Sequence, residues 1–299
     1  MTTQSLPESA DLRAIRYRFD GPVAIVELHR PHRANAWNGT MHGELLAVMR
    51  SLEQRADVRA VVITGTPPTF SVGGDSQALG DHAERGSYDT GLADDTTRPG
   101  GDLREEFDED LSWMFGYRLP IIAAVNGAVA GVSLALVCFC DLRFGSASAK
   151  ITTAAPKLGL PAEYGLSWIL PRMIGIEWTL DLLLSSRPVN GDEAKAIGLV
   201  SRVCDTDDVL ADAQAYARAL ATGRSPVAMA TIRRQVWSDL SRHYTDANYG
   251  WFEAMLRLNR PDNPDFAEGV AAFVEQRPPA FAPLDPSAEL PPLPPFAPQ

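Results

Sequence analysis

Apolar and polar positions divide the chain into strands with alternating helices, followed by a run of helices. Ile15 to Tyr17 and Val23 to Leu28 form two β-type runs across Asp20-Gly21-Pro22, the pattern of a hairpin. From about Asn38 to Arg55, Leu45, Leu46, Val48, Met49 and Leu52 recur at helical spacing and predict one buried helical face. Val61-Val62-Ile63 is short, apolar and closed by Gly65, as expected of a strand buried on both faces. Gly80 to Gly101 is polar, acidic and glycine-containing and predicts a mobile loop. A helix from about Leu103 to Arg118 then leads to the apolar strand Ile121–Val125. Strands are expected at Asp141–Phe144, Lys150–Thr152 and Val200–Val203, with helices at Gly165–Met173, Glu177–Leu184 and Gly191–Ile197. Helical periodicity fills 207–222, 225–240, 243–259 and 263–275, and Pro278 to Gln299 is proline-rich. The pattern therefore predicts a disordered N-terminus (1–11), an α/β core (12–206), a C-terminal helical region (207–277) and a proline-rich tail (278–299).

Composition narrows the function. The 299 residues hold 27 basic and 38 acidic side chains, a net charge of −11 that argues against nucleic acid as a partner. No run of 18 apolar residues suggests a membrane span, and MTTQSLPESADLR lacks the basic and apolar regions of a secretory signal. Cys138 and Cys140 lie within an apolar segment without metal-ligand spacing, the pattern of buried thiols in a reducing compartment. A cytoplasmic protein without a metal is expected.

Two glycine-containing loops follow two apolar strands. TPPTFSVGGDSQAL comes after Val61–Thr64, and NGAVAGVSLA comes after Ile121–Val125. The second loop opens a helix at about Gly131, where unpaired backbone N–H groups can point at a ligand. Each loop can present one amide, at Gly74 and at Val132, and two convergent amides would hold negative charge developing on a carbonyl oxygen. Taken alone, each loop is equally compatible with tight packing.

These segments resemble the enoyl-CoA hydratase/isomerase (crotonase) superfamily over roughly Leu12 to Pro279. The matching pieces are RANAWN (33–38), TFSVGGD (69–75), IIAAVNGAVAG (121–131), CDLRFGSASAKI (140–151) and KLGLPAEYGLSWILPRMIG (157–175). The resemblance implies a crotonase-like spiral of ββα units with a C-terminal helical region, assembled as a homotrimer or dimer of trimers. It implies an acyl-CoA substrate and no cofactor beyond the coenzyme A thioester itself. It makes the amides of Gly74 and Val132 an oxyanion hole and places Ala34, Ala36, Val72 and Asp75 along the CoA and acyl path. Arg33 becomes a candidate for a CoA phosphate, and Phe266, Phe273 and Arg277 for covering a neighbouring subunit's CoA.

The chain also departs from that pattern. Hydratases of the family use two glutamates, and the matching positions here hold Ala135 and Ala155, neither of which can move a proton. Glu163, in PAEYG, falls where the resemblance places an acidic residue of dienoyl-CoA isomerases, and Leu160, Tyr164 and Trp168 would raise its pKa. It can equally be a carboxylate favoured by the N-terminus of the following helix.

Tyr88, Trp113 and Tyr117 are candidates for the acyl pocket or for plain core, while His29, His32, His42 and His82 show no metal spacing. Asp141 is expected to hold backbone or Arg143. The leading expectation is thus enolate chemistry with Glu163 as acid/base, either double-bond isomerisation or an atypical hydration. One alternative is an acyl-CoA-binding homologue without catalysis. Another is a serine hydrolase built on Ser133, whose GVSLA segment falls one residue short of a nucleophile elbow and whose only late histidine is His243.

Overall fold

The computed structural model describes residues 6–87, 90–92, 96–100, 110–205 and 208–291. A hairpin of β1 (Ile15–Asp20) and β2 (Val23–Leu28) edges a six-stranded sheet. It continues in parallel through β3 (Ala60–Gly65), β4 (Ile121–Val125), β6 (Leu142–Ser146) and β8 (Arg202–Cys204). A second, two-stranded sheet pairs β5 (Val129–Ala130) with β7 (Ile151–Thr152) in parallel. Alternation along the strands separates the two cores. Val23, Ile25, Ala60, Val62, Ile122, Ala124 and Phe144 pack on Val209, Ala213 and Ala217 of α6 (Val209–Gly223). Ala24, Val26, Val61, Ile63, Ile121, Ala123 and Val125 face the larger core, which holds α1 (Gly39–Glu53) and α3 (Val132–Phe139). Successive strand residues point to opposite faces, and the central strands β3 and β4 are apolar on both faces up to Thr64 and Gly65 at the end of β3.

The remaining helices are α2 (Ser76–Arg85), α4 (Leu166–Ser185), α5 (Gly191–Ala196), α7 (Pro226–Asp239), α8 (Tyr244–Leu258) and α9 (Asp265–Glu275). Two of them depart from the sequence pattern. Residues 80–85, expected in a mobile loop, belong to α2, which starts because the Asp75 side chain accepts from Gln77 N at 2.9 Å. The two helices expected across 165–184 join in α4, with a kink at Gly175. Within the helix expected over 103–118, the described part holds a single 3-10 turn at Ser112–Phe115, and residues 101–109 lie outside the described residues.

Both ends of the described chain are tied down. Tyr17 donates to Pro7 O at 2.7 Å, and Leu6 and Leu12 pack on the core, so residues 6–11 are ordered. Beyond α9, Arg59 holds Phe281 O at 2.8 Å and Arg118 holds Ala288 O at 2.7 Å. Residues 1–5 and 292–299 of the two expected irregular ends lie outside the described residues.

Candidate active site

Strands β3 and β4 end side by side, and the loops after them are stitched together. Asn126 accepts from Gly65 N at 3.2 Å and donates to Gly65 O at 2.9 Å. Asn35 donates to Thr66 O and Thr69 O at 2.8 and 2.9 Å, fixing the first loop from its other side. Past these anchors the loops pair in parallel, with Ser71 opposite Val129; Ser71 N donates to Ala128 O and Ala130 N to Ser71 O. Gly74 and Val132 each lie three residues beyond that bridge, so the pairing register brings both to the same end of the two loops.

Neither the Gly74 nor the Val132 amide has a protein acceptor among the described residues. Val132 opens α3, where the first N–H groups of a helix have no intrahelical partner. Gly74 pairs only through its neighbours: Trp37 N donates to Gly73 O at 2.7 Å and Asp75 N to Trp37 O at 2.8 Å. Gly131 makes the turn into α3 at φ 51°, ψ −128°, a conformation that L side chains rarely adopt.

Gly74 and Val132 both line a cleft of about 220 Å³. Its walls also include Trp37, Val72, Asp75, Ala155, Glu163 and Tyr164, together with one side of α2. The Glu163 carboxylate lies close to the second loop: a β-carbon built on Gly131 would stand 3.6 Å from its Oε2. Glu163 is half-buried, and burial pushes its pKa above the usual carboxylate value. Among the described residues it has no ion-pair or side-chain hydrogen-bond partner. Of its three expected neighbours, only Tyr164 lines the cleft; Trp168 packs on Phe115, with the Arg172 guanidinium over its ring.

Asp75 stands on the cleft wall with its charge already matched. Arg30 reaches Oδ2 at 2.8 Å and Arg33 reaches Oδ1 at 3.0 Å. Burial alone would raise its pKa, but the hydrogen bonds from Arg33, Gln77 N and Arg30 outweigh that effect and hold it at about 2. Arg33, Ala34 and Ala36 are not part of the cleft lining. They form the turn beside it, where Ala34 O accepts from Val72 N and Ala36 O from Arg30, so this segment supports the first loop from behind.

Of the two alanines, Ala155 lines the cleft and Ala135 is buried inside α3. Trp113 and Tyr117 are core residues away from the cleft, and Tyr88 lies outside the described residues. Ser133 is fully buried, with its hydroxyl 2.6 Å from that of Ser71, and it does not line the cleft. A hydroxyl so placed cannot reach a substrate, which removes the basis of the serine hydrolase reading. Asp141 holds Ile121 N at 2.7 Å as expected, but its cation is Arg233 at 2.6 Å; Arg143 instead donates to Cys140 O. Buried thiols at Cys138 and Cys140 are pushed up in pKa, Cys138 to about 12, and are inert as nucleophiles.

The sequence reasoning missed Trp37 and the α2 side chains Leu79, His82 and Arg85 on the cleft wall. The spacing of Ala78, Leu79, His82 and Arg85 is a helical signal inside a segment whose polarity reads as loop.

Known proteins agree with this architecture. Residues 18–283 match the family model described as enoyl-CoA hydratase/isomerase. A probable enoyl-CoA hydratase of Rhodobacter capsulatus is 34% identical over 267 residues, covering 89% of this chain and 97% of that protein. The 1,2-epoxyphenylacetyl-CoA isomerase of Escherichia coli is 30% identical over 260 residues, covering 87% of this chain and 94% of that protein. Among solved structures, an enoyl-CoA hydratase from Polaromonas sp. JS666 shares the fold with a TM-score of 0.76 at 24% identity, across 90% of this chain and 100% of that one. The crystal structure titled enoyl-CoA hydrates subunit I, from Geobacillus kaustophilus, has a TM-score of 0.77 at 27% identity, across 91% of this chain and 98% of that one. By the match over residues 18–283, the identity to these relatives and the shared fold, the chain belongs to the enoyl-CoA hydratase/isomerase family.

Proposed function

We propose that the cleft binds an acyl-CoA thioester and stabilises its enolate, with the amides of Gly74 and Val132 as oxyanion donors and Glu163 as the acid/base. The observation that carries this reading is a half-buried carboxylate beside a loop that ends in one of two amides, all three without a partner among the described residues. Glu163 takes the proton from the carbon next to the thioester, and negative charge moves onto the carbonyl oxygen. The two N–H groups hold that charge, and loss of one such donor typically costs about 100- to 1000-fold in rate. The same carboxylic acid then returns the proton two carbons along the chain, which shifts the double bond. A raised pKa suits both steps, because the group must accept and release a proton near neutral pH.

Isomerisation is favoured over hydration because the methyl of Ala155 faces the cleft where a second carboxylate could have activated water. In this reading Val72 and Asp75 border the acyl-CoA path, and Arg33, Ala34 and Ala36 support it from outside the cleft. A second reading is an acyl-CoA-binding homologue without turnover, favoured by the alanines at 135 and 155. The test is incubation with 2-enoyl-, 3-enoyl- and 2,4-dienoyl-CoAs in deuterated water, with products read by mass spectrometry. Deuterium incorporation that disappears in Glu163→Gln supports the enzyme. Acyl-CoA binding without exchange supports the idle homologue.

The reading includes self-association as a trimer or dimer of trimers. Ile176 and Leu184 on α4, Ile232 and Val236 on α7, and Trp251, Phe252, Met255 and Leu256 on α8 are exposed apolar side chains that association would bury. Sedimentation of a monomer at micromolar concentration would overturn it.

A further inference from the structure

Glu163 is carried by a turn that its own sequence resists. Leu166 N donates to Glu163 O at 2.9 Å and closes four residues, with Tyr164 at φ 48° and Gly165 at φ 75° between them. Positive φ at both central positions is the type I′ pattern, which glycine, asparagine and aspartate dominate. Glycine does serve at Gly159 and Gly165 in this segment, at φ 72° and 75°. At Tyr164 the chain instead holds a bulky aromatic residue in the left-handed region, where an L side chain crowds its own backbone. The surroundings keep the turn in place. A β-carbon on Gly165 would stand 3.3 Å from the Phe139 ring at the end of α3, and Leu166 is buried at the start of α4.

Strain of this kind persists where the surrounding structure over-determines it, and it clusters at sites where the position of the side chain matters. Tyr164 and Glu163 both line the cleft. The Tyr164 side chain is half-buried and packs against the larger core, so it is a fixed part of the wall. Glu163 is half-buried too, and burial pushes its pKa up with no charged neighbour contributing. The other titratable groups on the cleft are engaged elsewhere or stand on α2. Asp75 is matched by Arg30 and Arg33, and Asp81 and Arg85 lie 3.9 Å apart on α2, which also carries His82. On α4 and the segment before it, Arg172 lies over the Trp168 ring and Lys157 donates to Ser186 O. Glu163 is therefore set apart by exclusion of water, and the bulky side chain next to it in the chain is Tyr164.

We propose that Tyr164 is a positioning residue for the acid/base: the left-handed turn is kept because it sets the aromatic ring into the cleft wall beside Glu163 and closes that side of the carboxylate to bulk water. The inference rests on the acid/base reading of Glu163 and adds the residue that tunes it. The ring acts on Glu163 through solvent alone and takes no part in proton transfer. A ring of the same shape without the hydroxyl serves equally, whereas asparagine or glycine suits the turn better and leaves the carboxylate open to water. A tyrosine kept only for its packing on the core predicts something else. Smaller residues there would cost stability and leave the acidity of Glu163 where it was.

The experiment takes the most active of the 2-enoyl-, 3-enoyl- and 2,4-dienoyl-CoAs and follows its deuterium exchange across the pH range in which the protein stays folded. Wild type is compared with Tyr164→Phe, Tyr164→Asn and Tyr164→Gly, with urea unfolding to establish that each is folded and Glu163→Gln as the blank. Wild type and Tyr164→Phe should share the midpoint of the acid limb. Tyr164→Asn and Tyr164→Gly should move it down toward 4.5 and lose roughly 3- to 10-fold on the plateau above it, because a weaker base removes the proton more slowly. If the folded Asn and Gly variants keep the wild-type midpoint, Tyr164 is a packing residue and the inference is overturned while the acid/base reading stands. If Tyr164→Phe moves the midpoint as far as they do, the hydroxyl and not the ring governs the carboxylate, and the water-exclusion assignment fails. If the wild type exchanges without an acid limb, or not at all, the acid/base reading itself falls, and the inference with it.

Discussion

Gly73, Gly131 and Gly74 border the proposed oxyanion site, and alanine at each should have a different and ordered effect on stability. At Gly131 (φ 51°, ψ −128°) an added β-carbon would meet Glu163 Oε2 at 3.6 Å, Thr153 O at 3.9 Å and Gly73 Cα at 4.0 Å, all ordinary contacts. The cost is therefore almost entirely conformational, about 1–3 kcal/mol for holding a non-glycine residue there. At Gly73 (φ 88°) the same conformational cost is joined by a clash, since the β-carbon would stand 2.8 Å from Ala130 O, a backbone atom of the paired loop. Relief would need the two loops to separate, so Gly73→Ala should lose on the order of 4 kcal/mol or more. Gly74 does not have a positive φ, and its β-carbon would meet Leu79 at 3.4 Å, so Gly74→Ala should cost under about 1 kcal/mol. Urea unfolding with constant m-value measures all three, and each kcal/mol should also lower Tm by roughly 2 °C in a chain of this size. The order Gly73→Ala, then Gly131→Ala, then Gly74→Ala, from most to least destabilised, is the expected result. A Gly131→Ala protein as stable as wild type would show that the loop can adopt an unstrained path, and would refute the reasoning that glycine is required to aim the Val132 amide.

Proton exchange by the wild type should rise with pH through a midpoint above the usual carboxylate value of 4.5, because Glu163 acts as base only when ionised; a pH–rate profile without that acid limb would remove Glu163 from the chemistry. The same residue should oppose stability: its folded pKa is raised, so ionisation weakens the fold as pH climbs past 4.5, and Glu163→Gln should be at least as stable as wild type at pH 7 while losing about 100-fold or more in turnover. Asp75 has the opposite sign. Its pKa is held at about 2 against 3.8, so its contribution is complete above 3.8 and is lost as pH falls toward 2; Asp75→Asn should cost about 2 kcal/mol at pH 7 in chemical denaturation and little at pH 2. Ser133→Ala should keep its acyl-CoA exchange activity, and fluorophosphonate should leave the wild type unlabelled, because the hydroxyl is buried against Ser71.

The legible part of this protein is what local pattern controls. Strand β4 begins and ends where its apolar run does, since a strand buried on both faces is apolar throughout and stops at the first turn residue. The helices of the C-terminal region follow their periodicity within one or two residues. Helix α2 was hidden because its capping Asp75 and its cleft-facing side chains sit in a polar stretch, where composition outweighs periodicity. Asp141 was recognisable as a structural carboxylate, but its cation lies 92 residues away in sequence, at a distance no local pattern reports.

Apart from β5 and α2, the sequence by itself determined the order of strands and helices, together with the two glycine loops behind apolar strands and a set of motifs specific enough to point to the family. The resemblance these motifs carry implies that Ala135 and Ala155 occupy the positions of the family's two glutamates. Only the tertiary structure decided which side chains share a space. The Ser71–Val129 bridge brings Gly74 and Val132 to the same end of the two loops, where neither amide has a protein acceptor among the described residues. Arg33, far from Asp75 in sequence, is its ion-pair partner in the fold. The rings of Trp37 and His42 come within 5.2 Å of each other, a neighbourhood neither residue announces alone. The physical reason is the same in each case: backbone preference and hydrophobic periodicity act over a few residues, whereas a site is built from desolvation and hydrogen-bond accounting among groups that meet only when the chain has folded.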